Sequence, residues 1–295
     1  MQKDCERHMS RLGPLASASI VWVSLLASAM AQDAAWQPVA KAPIHSTVRL
    51  DPVGIAPDSP NREVIIEIAL QPGYKTYWRT PGDSGVPPTF DWSKSENLGS
   101  VTVKWPAPKW FFDGSGYAIG YGGRTRFPVS VVAQDKDKPL VLKLNLDYAV
   151  CKEICIPAKA EASLRLPAAT EAVSLPLGEP FTGNIPRRIG LGEAVDGIAV
   201  ATVEGPVDAL VVRARVPQEA AAATDSRLFV EGPEGWLFGK PEREVLEGGE
   251  LRFSVPLSDK PKHISATKIP LLLTLAAAGR SVEVVSDLDV SAIAR

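Results

Sequence analysis

Alternation of apolar and polar residues between positions 140 and 150 is the feature that most constrains the fold of this chain. A period of two places one set of side chains on each face of a β-strand, whereas an amphipathic helix needs a period of about 3.6. The segment therefore predicts a strand with one buried face. Its apolar residues are Leu140, Leu142, Leu144, Leu146, Tyr148 and Val150.

Shorter strand-like segments occur along the rest of the chain, and Pro- and Gly-rich turns separate them. With 26 Pro and 23 Gly between short apolar runs, the sequence favours many strands over long helices. This spacing is typical of antiparallel β-sandwiches, and we expect one in each half of the chain. The other strands predicted in the first half are 45–50, 64–70, 100–105, 126–133 and 160–166. Those predicted in the second half are 197–203, 209–216, 227–231, 250–255, 270–275 and 281–285.

The first 31 residues have the order of an export signal: basic residues, an apolar run at 20–26, and then Ala29-Met30-Ala31. The apolar run is too short to span a bilayer comfortably, which favours a cleaved signal peptide over the alternative, an uncleaved signal anchor. We expect residues 1–31 to be removed, so that the mature protein begins at or near Gln32 in the bacterial periplasm. An oxidising compartment of this kind permits disulfide bonds.

A Pro-rich stretch without a clear period divides the remaining sequence. We therefore predict a first domain at 32–168, a linker at 169–192 and a second β-sandwich at 193–295. The formal net charge of −2 provides no electrostatic reason to expect nucleic acid or an anionic membrane as the main partner.

Cys151 and Cys155 are the thiols that the mature chain would retain, because Cys5 lies in the predicted signal peptide. On an extended strand they would lie about 13 Å apart, whereas a disulfide needs about 4.4–6.8 Å between Cα atoms. A bridge therefore requires a sharp turn through residues 152–154. The strand period places both cysteines on the polar face, so we expect both sulfurs to point outward from a tight hairpin.

Such a small loop gains only about 2 kcal/mol from chain entropy, which favours an exchangeable disulfide. A static bridge that pins one hairpin is the alternative. A metal site is a further alternative, but two sulfurs would need more ligands, and His45 and His263 are remote in sequence. We expect no cofactor and no metal.

Three motifs resemble one known family: Leu146–Pro157 around the cysteines, Gly73–Gly85, and Trp105–Pro108. They are similar to the N-terminal periplasmic domain of the thiol:disulfide interchange protein DsbD, and most similar to its ScsB-like branch, which is linked to copper tolerance. The resemblance covers about residues 40–168, and the second half resembles the extra module of that branch more weakly.

The resemblance implies an immunoglobulin-like domain whose cysteine pair relays electrons between thioredoxin-fold partners. The residue that matches Cys155 forms the mixed disulfide in the family, and the residue that matches Cys151 resolves it. A protein-disulfide reductase type of activity is therefore expected. Lys152 is close enough in sequence to favour a thiolate.

The family also covers its cysteine pair with an aromatic residue from a loop, and residues 110–117 occupy the comparable place here. Phe112 is the predicted cap, with Phe111 and Tyr117 beside it; the alternative is that these rings belong to the sandwich core or rim. The residues expected as scaffold around the site are Tyr74, Tyr77 and Trp78.

The sequence departs from the family pattern in that it contains no C-x-x-C, and no apolar run of spanning length precedes its end at Arg295. We therefore expect a separate membrane protein as the electron donor. Two other functions stay open: a non-catalytic interaction module with a structural disulfide, and a copper-binding or copper-tolerance protein.

Overall fold

The computed structural model describes residues 45–291, apart from 56–57, 84, 113, 115, 172–180, 182, 206–209 and 224. The predicted signal peptide lies outside the described residues, as does much of the predicted linker. Within this described part, no helix is long and apolar enough to cross a membrane.

Antiparallel strands form the first half of the chain. They are β1 (Ser46–Ile55), β2 (Asn61–Leu70), β3 (Lys75–Gly82), β4 (Thr89–Asp91), β5 (Leu98–Val103), β6 (Lys109–Phe112), β7 (Tyr117–Gly122), β8 (Arg124–Ala133), β9 (Leu140–Cys151) and β10 (Cys155–Leu166).

These strands form two facing sheets. One has the order β1-β2-β8-β5, and the other has the order β10-β9-β3-β7-β6, with β4 paired to β9. The alternation of β9 turns one face inward, where Leu140 and Leu142 are fully buried in the same core as Val64 and Ile66 of β2. The period-two pattern thus produces the sandwich that it predicts.

The second half also consists mainly of strands. They are β11 (Arg187–Ile189), β12 (Ala199–Glu204), β13 (Leu210–Arg215), β14 (Arg227–Glu231), β15 (Leu237–Phe238), β16 (Glu242–Val245), β17 (Glu250–Val255), β18 (Leu257–Asp259), β19 (Lys268–Ala277) and β20 (Arg280–Asp289). Helical turns occur at α1 (Gln218–Ala222) and at Glu247–Gly249, which is a 3₁₀ turn.

The strands of the second half form sheets of order β11-β20-β19-β14 and β12-β13-β17-β16, and β15 pairs with β18. Val212, Phe253 and Leu273 are buried in the core of this half. The prediction of an all-β chain with immunoglobulin-like sandwiches is confirmed, whereas the exact domain boundaries stay a prediction.

The two halves contact each other through charges and aromatic rings. Arg79 Nη2 lies 2.7 Å from Glu231 Oε1 and 2.6 Å from Glu283 Oε1. Burial disfavours the charged guanidinium, but hydrogen bonds and charges from these carboxylates outweigh that effect and raise the pKa of Arg79 above its usual value. The ring of Trp110 stacks on Phe229, with the ring centroids 5.5 Å apart.

Three strands near the cysteines do not appear in the sequence prediction: β3, β6 and β7. In β3, the consecutive residues Tyr77 and Trp78 are both buried, so this strand does not show an alternation of apolar and polar residues. Its end, Pro81-Gly82, has the sequence of a turn. The segment predicted as an aromatic loop is instead the hairpin of β6 and β7.

Candidate redox site

The cysteines lie at the end of the β9–β10 hairpin. Cys151 and Cys155 are directly opposite each other in the antiparallel register, with their Cα atoms 4.1 Å apart, and they form a disulfide bond. The backbone N–H of Lys152 donates to the carbonyl of Ile154 at 3.2 Å and closes the turn between them. The predicted sharp turn is therefore confirmed.

The two sulfurs have different environments. Cys151 is only 2% exposed, whereas Cys155 is an exposed residue. Both lie on the outer face of the sheet, as the period predicts, but only Cys155 is open to solvent. Tyr77 and Ala118, with the partly buried Phe111, cover that end of the outer face and bury the side chain of Cys151.

Tyr77 connects this cover to the disulfide. Its hydroxyl oxygen lies 2.9 Å from Cys155 Sγ and 3.1 Å from Cys151 Sγ. A disulfide sulfur has no hydrogen, so the hydroxyl is the donor. A side chain at Gly85 would collide with the Tyr77 ring and with Pro81, which explains the glycine that ends the motif at 73–85. Tyr77, predicted as scaffold, also touches both sulfurs.

The aromatic residues of the β6–β7 hairpin divide into two sets. Phe111 stacks on Tyr77, with the ring centroids 6.0 Å apart. Phe112 is 60% exposed, and its ring contacts Tyr117, which is 39% exposed, at 5.7 Å. These contacts favour Phe111 over Phe112 as the ring that covers the site, although the identity of the cap stays a prediction.

The other expected scaffold residues lie farther from the sulfurs. Tyr74 stacks on His45 with the ring centroids 4.2 Å apart, and Lys152 Nζ lies 5.9 Å from the Tyr74 ring centroid. Trp78 is 1% exposed and packs into the sandwich core, where its ring contacts Phe229. Tyr74 therefore supports the hairpin turn, and Trp78 supports the core and its contact with the second half.

Sequence reasoning missed one cation at the site. Lys75 of β3 pairs in register with Cys151 of β9. Its Nζ lies 4.7 Å from the centroid of the Phe111 ring. No local pattern identifies Lys75, because it meets Cys151 only through the pairing of two strands that are distant in sequence.

Apolar side chains flank the accessible sulfur. Ile154 is 73% exposed and Ile156 is 38% exposed, on either side of Cys155. Among the residues that the structure describes, no group of three or more His, Cys, Asp or Glu side chains is arranged to hold a metal ion.

Comparison with known families supplies the context for this disulfide. Residues 50–167 match the family described as "Thiol:disulfide interchange protein DsbD, N-terminal". They form a DsbD N-terminal-like domain. The matched segment contains both cysteines, Lys75, Tyr77 and Phe111. The match and the disulfide together support a thiol:disulfide interchange module.

A solved structure extends the likeness in fold beyond this domain. The N-terminal periplasmic domain of ScsB from Proteus mirabilis aligns with a TM-score of 0.59 at 22% identity, and covers 87% of this chain and 98% of that chain. The C-terminal domain of the Streptococcus agalactiae AgI/II polypeptide BspA aligns over 82% of this chain and 99% of its own at 9% identity, but its TM-score of 0.20 is too low to indicate a shared fold. No curated protein sequence matches the chain.

Proposed function

We propose that this protein is a periplasmic thiol:disulfide exchange protein that relays reducing equivalents between thioredoxin-fold partners through Cys151 and Cys155. The observation that supports it most is the asymmetry of the disulfide within a DsbD N-terminal-like domain. One sulfur is accessible, and the other is buried beneath a tyrosine hydroxyl. A partner can therefore reach only Cys155 without rearrangement.

In the reducing half of the cycle, a thiolate of the donor attacks Cys155 Sγ. The Cys151–Cys155 bond breaks, the donor sulfur bonds to Cys155, and Cys151 leaves as a thiolate. The donor's second thiol then attacks its own sulfur in the mixed disulfide and releases Cys155. Two electrons reach the cysteine pair, and the donor departs as a disulfide.

In the oxidising half, the thiolate of Cys155 attacks the disulfide of an oxidised partner and forms a mixed disulfide. Cys151 then attacks Cys155 Sγ, which restores the internal disulfide and releases the partner as a dithiol. The difference in exposure supports the same roles, in which Cys155 would meet the partner and Cys151 would resolve the complex.

Tyr77 contributes to both halves. A neutral disulfide sulfur is a weak acceptor, whereas a thiolate accepts a strong, charge-assisted hydrogen bond. The Tyr77 hydroxyl therefore stabilises Cys151 most when it is ionised, which is its state as leaving group and as attacking group. Ile154 and Ile156 would provide the apolar contact with the partner around Cys155.

A periplasmic location agrees with this chemistry, because a disulfide persists in an oxidising compartment. The sequence pattern of residues 1–31 also predicts an export signal.

Trapping of mixed disulfides tests the proposal. The probe is an oxidised thioredoxin-fold protein, mixed with reduced variants that all carry Cys5→Ser and keep one cysteine of the pair, and the products are analysed by non-reducing electrophoresis and peptide mass spectrometry. Cys151→Ser should accumulate a mixed disulfide through Cys155, because the resolving thiol is absent. Cys155→Ser should accumulate little, because its remaining thiol is buried.

Equal trapping by the two variants would refute the assigned roles. No trapping by either variant would favour the non-catalytic module with a structural disulfide.

A further inference from the structure

Lys75 and Cys151 face each other across the β3–β9 strand pair. Residues directly opposite in an antiparallel pair have Cβ atoms about 4.5–5.5 Å apart, and their side chains leave the sheet on the same face. Lys75 and Tyr77 also share a face of β3, because they are two residues apart. The lysine is therefore the strand neighbour of Cys151, one of the two cysteines whose sulfurs Tyr77 contacts.

A second contact fixes where the ammonium group lies. Lys75 Nζ is 4.7 Å from the centroid of Phe111, and Phe111 packs in the small cluster that contains Tyr77 and Cys151. Lys75 is half-buried rather than fully exposed. The positive charge thus lies over the Phe111 ring, where solvent screens it less than at an open surface.

We propose that Lys75 is a positioning residue of the exchange reaction, whose ammonium group stabilises the thiolate of Cys151. This inference rests on the function proposed above. A cation close to a cysteine favours the thiolate over the thiol. Cys151 is the sulfur that leaves when a partner attacks Cys155, and a thiolate that is less basic leaves faster.

The redox state changes what Lys75 can interact with. In the disulfide neither sulfur is charged, and the ammonium group lies over the face of Phe111, which attracts it less than a full negative charge would. Reduction produces a full negative charge at the strand neighbour of Lys75. The lysine therefore acts mainly on the reduced protein and on the transition state in which Cys151 departs.

Other charged residues lie near Cys151, but they are placed differently from Lys75. Lys152 follows Cys151 in the chain, but its Nζ lies over the ring of Tyr74. Glu153 is exposed in the hairpin turn, and Lys109 is exposed on β6, two residues before Phe111. Tyr77 is a neutral donor. Lys75 is thus distinguished as the strand neighbour of Cys151 and by its contact with the covering ring.

The ionisation of Cys151 alone tests this inference. In a chain with Cys5→Ser and Cys155→Ser, Cys151 is the only thiol, since the sequence contains three cysteines. Thiolate absorbance near 240 nm is followed against pH, with the rate of alkylation by iodoacetamide as a second readout. Lys75→Met should raise the pH of half-ionisation by about one unit. Lys75→Arg keeps the charge and should move it much less.

Two matched variants complete the design. Lys152→Met removes the cation that is nearest in sequence, and Lys260→Met removes an exposed cation in the second half. We expect a smaller shift for Lys152→Met than for Lys75→Met, and none for Lys260→Met. Thermal unfolding of each variant shows whether the fold is retained.

An unchanged titration in folded Lys75→Met would overturn the inference, as would equal shifts for Lys75→Met and Lys152→Met. If Lys75→Met fails to fold, Lys75→Gln replaces it under the same criteria. The titration involves no partner protein. The expected shift can therefore be absent while mixed disulfides still form, or present when none form. The two experiments thus test this inference and the proposed function separately.

Discussion

The two halves of the chain share a sandwich architecture but differ on the outside of one sheet. In the first half, a small cluster containing Tyr77, Phe111 and Cys151 covers part of the outer face, separate from the main core. In the second half, the main group of described buried residues forms a core between the sheets, whereas Phe229 is buried against the core of the first half. The second half contains no cysteine.

This difference shows that the fold alone does not produce the redox site. A β-sandwich needs only one buried face per sheet, and the second half builds such a core without any cysteine. The first half adds aromatic rings to the opposite face, and these rings bury one sulfur of a surface hairpin. The site is thus an addition to the fold, as functional sites commonly are.

The largest expected effect is a loss of stability caused by a substitution in the core of the second half, with no change in the rate of disulfide exchange. Phe253 is 1% exposed in its core, so Phe253→Ala should lower the free energy of unfolding by about 3–5 kcal/mol. Denaturant unfolding measures that loss. Under conditions where the variant is folded, the rate of disulfide reduction by dithiothreitol should be unchanged. A large change in that rate would mean that the second half takes part in the chemistry.

Tyr77→Phe is the matching test in the first half, because it removes the hydroxyl near both sulfurs and keeps the ring. Loss of a hydrogen bond to a charged group costs about 1.5–3 kcal/mol, so reduction by dithiothreitol should slow by about ten- to a hundredfold. The free energy of unfolding of the oxidised protein should change much less. If the rate stays the same, Tyr77 is scaffold only.

A pair of smaller effects distinguishes the two phenylalanines of β6. Phe111→Ala should open the cover and speed reduction by dithiothreitol about fivefold, because exchange depends on access to sulfur. Phe112→Ala is the control, and it should have little effect because that ring is 60% exposed and contacts Tyr117. Faster reduction of Phe112→Ala alone would instead identify Phe112 as the cap, as predicted from the sequence.

The sequence predicts the parts of the site that depend on local pattern. Alternation along β9 and β10 determines which face holds the cysteines, and the short spacing of Cys151 and Cys155 requires the turn between them. The sequence does not predict that Cys151 is buried, because its cover comes from β3, β6 and β7. Those strands lack clean alternation, and Lys75 meets Cys151 only through long-range pairing.

The reduction potential of the Cys151–Cys155 pair tests the central claim most directly. The protein is equilibrated in dithiothreitol or glutathione redox buffers, and the fraction of reduced cysteine is measured by thiol alkylation and mass spectrometry. A pair that exchanges electrons with thioredoxin-fold partners should have a potential well above about −300 mV. A potential below about −300 mV would identify a structural disulfide and contradict the account.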